Sequence, residues 1–379
     1  MDEEKLYWIG LNLVRGIGAV RFRHLLEYFG DAKTAWQASE SHLRASGLSE
    51  KIVQNLLQLR AGVDLHLIEA QLNKLDVTVL TWDDPSYPRR LQEIEQPPPV
   101  LYLRGQLAEA DEWAVAIVGT RRVTNYGKQV TEQLARALAQ SGITVVSGLA
   151  RGTDSIAHQT ALNAGGRTIA VLGSGVDNLY PPENRRLAED MMQRGAVLSD
   201  YALGTQPEAA NFPPRNRIIS GLAMAVVVIE ASQQSGALIT ADFAAEQGRE
   251  VFAVPGPIYA PQSHGTNRLI QQGARPMLTP QDVLEALNLN RVTQHREARA
   301  ILPTNDLEAR LLTLIRDEAL HVDEISVQTQ LPVKDITAAL TMMELKGMVR
   351  QMGGMHYQSL REEQAEYYAR SDDFRPSNE

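Results

Sequence analysis

The chain of 379 residues contains no cysteine. That excludes disulfides, a thiol nucleophile and cysteine-ligated zinc. Its eight histidines are scattered, and none forms a His-x-x-x-His pair of metal-ligand spacing. No metal and no cofactor are expected. The longest unbroken apolar run is the eight residues Leu222 to Ile229, far short of the ~20 that span a bilayer. The opening Met-Asp-Glu-Glu-Lys lacks the basic and apolar regions of a signal peptide, so the expectation is a cytoplasmic protein with no membrane partner. Positive charge is also short: the net charge is −9, so any polyanion must be held by a local basic site rather than by general attraction. Aromatics make up only 6% of the residues, which limits base stacking as a source of affinity.

What remains is ordinary soluble composition, 44% hydrophobic and 22% charged, enough for a real core in two or three domains. Residues 1–75 read as helical. Leu11, Leu13 and Val14, then Gly16-Ile17-Gly18, then Val20, Phe22, Leu25, Leu26 and Phe29 suggest two helices around a glycine hairpin. Leu43, Gly47-Leu48-Ser49, Ile52, Val53, Leu56 and Leu57 repeat the pattern more weakly. This is a helix-hairpin-helix or SAM-like arrangement. Such hairpins can offer backbone N–H groups to phosphate; they can equally be turns of a small bundle. Arg15, Arg21 and Arg23 are the few basic residues beside the first one.

Residues 76–288 alternate strand and helix. After short strands at Val77–Thr81 and Val100–Arg104, candidate strands are Ala114–Val118, Thr144–Ser147, Thr168–Leu172, Ala196–Ser199, Ala225–Ile229 and Val251–Val254, with amphipathic segments such as Gly127–Gln140 and Thr153–Ala164 between them. The predicted fold class is α/β, a Rossmann-like, doubly wound, mostly parallel sheet. Residues 289–305 read as a linker. Residues 306–360 offer three helices and a hairpin around Gly353-Gly354, a winged helix, and 361–379 form a charged tail expected to be disordered.

In such a sheet ligands bind beyond the carboxyl ends of the strands. Five strand ends share that edge. They lead into Gly119-Thr120-Arg121-Arg122, into Ser147-Gly148 through Arg151 to Asp154, into Gly173-Ser174-Gly175, into Phe212-Pro213-Pro214-Arg215-Asn216-Arg217, and into Ser235-Gly236-Ala237. Glycines let backbone N–H groups approach an anion, and arginine adds bidentate phosphate contacts. Each arginine could instead sit in an ion pair, Arg151 with Asp154 for example. Phe212 could be a stacking platform or a core residue. Neither Gly-x-Gly-x-x-Gly nor a P-loop is present, which argues against a dinucleotide or a nucleoside triphosphate and for an extended polyanion. Asp154 and His158, four apart, could be an acid–base pair, though a packed histidine serves equally. Glu230, at the end of a strand, could be a general base or could stabilise the arginine cluster.

Several of these segments together resemble the DNA-processing protein A (DprA, or Smf) family: Ser147-Gly148-Leu149-Ala150-Arg151-Gly152 with Asp154, Ala157 and His158; Phe212 to Leu222; Ser235-Gly236-Ala237-Leu238-Ile239-Thr240-Ala241; Gly248 to Gly256; and Gly265-Thr266-Asn267-Arg268-Leu269-Ile270 with Gly273-Ala274. The likeness spans roughly residues 75–288. It implies a non-enzymatic protein that binds single-stranded DNA as a homodimer, helps load the RecA recombinase and protects incoming DNA in natural transformation. It makes Gly119, Thr120, Arg121, Ser147, Gly148 and Arg215 to Arg217 the expected DNA contacts, and the loop chemistry adds Arg151, Gly173, Ser174, Phe212 and Gly236. Ala202-Leu203-Gly204-Thr205 departs from the Pro-Pro-Gly-Thr-like run of many members. Residues 109–290 carry 14 Lys+Arg against 17 Asp+Glu, so binding must be focused at the loops. The third helix of the winged helix mixes Lys334 and Lys346 with Asp335 and Glu344, which suits a weak duplex contact or a protein-binding module. Two alternatives stand beside this one: a Rossmann-like nucleotide phosphoribohydrolase, whose Pro-Gly-Gly-x-Gly-Thr segment Pro255-Gly256-Pro257 does not match, and a winged-helix transcription regulator.

Overall fold

The computed structural model describes residues 2–287, 306–315, 319–345 and 349–359. The linker, the tail and Lys346 of the expectations above lie outside the described residues. Two compact units divide the chain near residue 290.

The first unit begins with six helices, α1 (Glu3–Leu13), α2 (Ala19–Phe29), α3 (Ala32–Gln37), α4 (Glu40–Ala45), α5 (Glu50–Gly62) and α6 (Leu65–Lys74). The two glycine hairpins fall between α1 and α2 and between α4 and α5. Nine strands follow, with a short helix α7 (Arg89–Gln92) between the first two: β1 (Thr78–Thr81), β2 (Val100–Gly105), β3 (Ala114–Val118), β4 (Thr144–Ser147), β5 (Thr168–Val171), β6 (Ala196–Ser199), β7 (Ala225–Val228), β8 (Glu250–Ala253) and β9 (Arg275–Pro276). They form one sheet in the order β1-β2-β6-β5-β4-β3-β7-β8-β9, with β1, β2 and β6 paired antiparallel and the rest parallel. This is the expected mostly parallel, doubly wound sheet. The chain runs outward from β3 to β6 and returns to the other side of β3 at β7, so the strand order reverses between β3 and β7.

The sheet's interior strands are apolar on both faces because helices cover both. Ala114, Ala116, Val118, Val146, Val226 and Val228 face Ile218, Ile219, Leu222, Ala237 and Ala241 of α11 (Phe212–Leu222) and α12 (Gly236–Glu246). On the other face, Ala170 and Val197 pack with Leu187, Ala188 and Met191 of α10 (Arg185–Met192), beside α9 (Thr153–Asn163) and α8 (Asn125–Gln140).

The outer strands show how the helical part is joined on. A strand's side chains alternate between faces. Val79, Val100 and Tyr102 face the helical core of Trp8, Phe22, Leu25 and Leu56, whereas Leu80, Leu101 and Leu103 face the α/β core. Trp82 packs partly against both cores, with its ring edge-on to Trp8 at 5.6 Å and to Phe22 at 5.8 Å.

The second unit is a small bundle of helices Asp306–Leu314, Val322–Thr329 and Val333–Leu345 with a three-stranded sheet of Leu320–His321, His356–Ser359 and Val349–Gly353. Leu311, Ile315, Ile325, Ile336, Leu340, Met343 and Tyr357 make its core. The expected three helices and hairpin are there, and the two-residue strand at Leu320 adds a third ribbon to the wing.

Candidate nucleic-acid interface

A cleft of about 700 Å³ opens at the carboxyl edge of the sheet, at the point where the strand order reverses. The loops after β3 and β7 and the start of α11 wall it. Of the residues read from the sequence, Gly119, Thr120, Arg121, Phe212, Arg215, Asn216 and Gly236 line it. Ser147, Gly148, Arg151, Gly173, Ser174 and Arg217 do not, and their surroundings explain their types.

Ser147 is buried and donates to the Ile117 carbonyl at 2.6 Å, tying β4 to β3. Ser174 is buried and donates to the Asn178 carbonyl at 2.8 Å. A Cβ on Gly173 would lie 2.9 Å from the Phe212 ring, so glycine there lets the aromatic seat itself. Arg151 is exposed and pairs with Glu183, not with Asp154. That is because Asp154 points inward: it accepts from the Gly148 and Ala150 amides at 3.1 and 3.2 Å. Arg217 lies half-buried against Asp200 at 2.9 Å.

Arg215 is 4% exposed. Its Nη1 donates to the Gly148 carbonyl at 3.1 Å and to that of Val171, and its Nε to Asn216 Oδ1 at 3.2 Å. It thus closes the carboxyl ends of two strands from below. Gly148 is glycine because a Cβ would come 2.7 Å from Arg215 Nη2. The neighbouring Leu149 holds φ at 58°, a strained left-handed conformation for a leucine, kept in place by complete burial and by the two amide bonds to Asp154 on either side. Burial pushes the Asp154 carboxyl up, against the pull of Arg215, and burial brings the Arg215 guanidinium down to about 10, which leaves it charged at neutral pH.

The solvent-facing charge of the cleft therefore belongs to Arg121 and Arg122. Both are exposed and neither makes an ion pair among the described residues. The Arg121 guanidinium lies 5.5 Å over the Phe212 ring, and Arg215 approaches the same ring at 5.8 Å. Tyr180 adds a tilted aromatic contact to Phe212 at 6.0 Å. Ser235 caps α12 by accepting from the Ala237 amide, and Asn216 holds the Gly236 carbonyl at 3.2 Å, so the helix start is fixed against α11. The cleft offers exposed guanidinium groups, an aromatic face and a helix start, a combination suited to phosphate and base together.

Tyr180 and Arg122 line the cleft and were absent from the residues singled out as contacts. The buried role of Arg215 had a signal that was open to reading. Residues 215, 218, 219 and 222 follow i, i+3, i+4, i+7, so Arg215 sits on the apolar face of α11 while Arg217 lies two residues round the helix.

The other titratable candidates have structural partners. His158 is fully buried, with Nδ1 2.6 Å from Thr168 Oγ1. The Thr168 hydroxyl spends its proton on the Val145 carbonyl, so His158 Nδ1 carries the proton donated to it. Asp154 and His158 form no acid–base pair. Burial, with the charge of Arg215, brings the His158 pKa down to about 3. A histidine depressed in this way binds protons in the unfolded chain first, so its contribution is present above about pH 6.5 and is lost as pH falls from there toward 3. Between pH 7 and pH 5 the wild type is expected to lose about 2 kcal/mol more in urea unfolding than His158→Leu; equal losses would remove this histidine from the account. Glu230, 4% exposed, touches no arginine of the cleft: its carboxylate accepts from the Thr124 amide at 2.9 Å and from the Thr124 hydroxyl, and so braces the N-cap of α8. The expectation that it stabilises the arginine cluster is corrected accordingly.

Fold and cleft together define a Rossmann-like α/β protein with a basic ligand edge and no dinucleotide loop. The family described as DNA recombination-mediator protein A matches residues 78–288, and the DprA winged helix domain matches residues 295–355. Protein Smf of Synechocystis is 37% identical over 94% of this chain and 99% of its own length, and Protein Smf of Escherichia coli is 36% identical over 84% and 88%. Among solved structures, DprA of Streptococcus pneumoniae superposes with a TM-score of 0.65 at 35% identity, covering 75% of this chain and 98% of that one. DNA processing protein A of Helicobacter pylori, solved for its single-stranded DNA binding mode, matches with a TM-score of 0.51 at 32% identity over 56% and 96%. The chain belongs to the DprA/Smf family of DNA recombination mediators. Among the described residues, no helix is long and apolar enough to cross a membrane.

Proposed function

We propose that this protein binds single-stranded DNA along the carboxyl edge of its sheet, with Arg121 and Arg122 on the phosphates and Phe212 beside a base. The observation that carries this is the exposed Arg121 guanidinium lying over the Phe212 ring at the mouth of the cleft. The single-stranded DNA binding of the Helicobacter pylori relative supports the choice of ligand. For the finer role the family likeness supports a cytoplasmic homodimer that passes the strand to RecA and protects DNA taken up in transformation, acting as a binding protein rather than an enzyme. The winged helix then serves as a weak duplex contact or a docking module for a protein.

Fluorescence anisotropy with a dT oligonucleotide and a duplex of equal length, across salt, tests the reading. The dT strand should bind more tightly. Arg121→Ala should lose about tenfold in affinity and shallow the log–log salt slope by about 0.7, the value for one phosphate on a single strand. Equal or tighter duplex binding, or an unchanged affinity of the variant, would sink the proposal. Release of free base from nucleoside monophosphates would favour the phosphoribohydrolase alternative instead.

A further inference from the structure

A second hollow, of about 710 Å³, lies at the same edge of the sheet. It is built on the same two loops as the cleft. Thr120 and Arg122 of the loop after β3 line the cleft, and Thr124 of that loop lines the second hollow. Ser232 of the loop after β7 lines the cleft, and Glu230 at its start lines the hollow. A strand held in the cleft therefore has a neighbouring hollow to one side of Arg121 and Arg122.

The walls of the hollow are apolar: Tyr126, Pro255, Pro257 and Ile258. The Tyr126 hydroxyl donates to the Pro255 carbonyl at 3.0 Å, which fixes the ring against the rim. Ile258 and Tyr126 are 70% and 46% exposed. Against these walls stands one carboxylate, the nearly buried Glu230. Thr124 uses one lone pair on each of its oxygens. A carboxylate has about four acceptor positions and no donor, so two remain. A mostly apolar hollow with one carboxylate that keeps two acceptor positions is suited to a planar group bearing two adjacent N–H donors.

Among the DNA bases, guanine alone presents such a pair on its Watson–Crick edge, N1–H beside the N2 amine. Adenine and cytosine place one amine beside a bare ring nitrogen. Thymine places one N–H between two carbonyls, which a carboxylate repels. We infer that this hollow takes one base of the bound strand and reads its Watson–Crick edge with Glu230, favouring guanine. Reading a splayed base by its pairing edge, with the ring packed on side chains, is general to proteins that accept unstacked bases.

The inference rests on the strand-binding reading above, and its test separates the two. Anisotropy is measured with dT15 and with a dT 15-mer carrying dG at every fifth position, too sparse for quartets. Wild type should bind the dG-bearing strand about tenfold more tightly, within the range for a paired two-bond contact. Deoxyinosine at the same positions keeps N1–H and loses the N2 amine, and should give back most of that gain. Glu230→Gln should erase the preference while leaving dT15 affinity within about twofold. Tyr126→Ala, on the exposed wall, gives a second variant that does not disturb the Thr124 brace. Equal wild-type affinity for dT15 and the dG-bearing strand overturns the inference and leaves the cleft intact. So does a preference that survives in both variants. A protein that binds free dGMP but shows no gain for dG in a strand has a nucleotide site there, which overturns the assignment to the strand. Failure to bind either oligonucleotide strikes down the cleft reading, and this inference with it.

Discussion

Arg215→Met should cost the protein about 3–5 kcal/mol of stability, the range for removing one partner of a buried charge pair. The side chain is of similar length and fits the apolar face of α11, so the loss is one of charge and hydrogen bonds. Three groups are left behind. The Asp154 carboxylate loses its cation in a site that already disfavours its charge. The carbonyls of Gly148 and Val171 lose their donor at the ends of β4 and β5. A second change distinguishes these costs. Asp154→Asn in the Arg215→Met background removes the orphaned charge and should recover part of the loss, although the amide meets the Gly148 and Ala150 N–H groups less well. A double-mutant cycle by urea denaturation measures the coupling. A loss below about 1 kcal/mol for Arg215→Met would show that the guanidinium is dispensable to the fold and return it to the list of ligand contacts.

The second large effect is expected at Trp8→Ala, again about 3–5 kcal/mol, the usual cost of deleting a buried tryptophan. Trp8 is 2% exposed, 4.7 Å from the Phe22 ring and edge-on to Trp82. What makes the site informative is where the loss should travel. Trp82 packs against both cores, and β1 and β2 turn alternate residues to each. Hydrogen exchange should accelerate not only in α1 and α2 but in the amides of Val79, Leu80, Leu101 and Leu103. If exchange changes only in residues 3–75, the helical part is an appended body and the shared strands transmit nothing. The exposed Val20→Ala serves as the surface control, with an effect within about 0.5 kcal/mol.

Much of the sheet was readable from the sequence because its punctuation is strong. Ala114–Val118 stands between Trp113 and Gly119, and its five apolar residues are what a strand covered on both faces requires. The strands at Thr144 and Ala196 begin and end where their flanking glycines and serines put them. β9 was not readable, since two residues ending in Pro276 carry no periodicity. The parallel order placed the basic loops on one edge. What sequence could not rank was their depth. Arg121, Arg151, Arg215 and Arg217 look alike in a motif, yet one is exposed over an aromatic ring, one is paired with Glu183 on the surface, one is buried beneath the strand ends and one is held by Asp200. The partners that decide this are distant in the chain: Glu183 is 32 residues from Arg151, and Gly148 is 67 from Arg215. Glu230 was misassigned for the same reason, because Thr124 lies 106 residues away.

Two guanidinium groups approach the Phe212 ring, one fixed by carbonyls and one reaching in from solvent. Arg121 is thus already engaged before any strand arrives. Swinging onto a phosphate forfeits a cation–π contact of about 0.5–2 kcal/mol and bares the ring for a base in the same motion. In the strand-binding reading proposed above, what a ligand gains from Arg121 is accordingly the difference between two attractions, and the phosphate that draws the arginine away would uncover the surface for its own base.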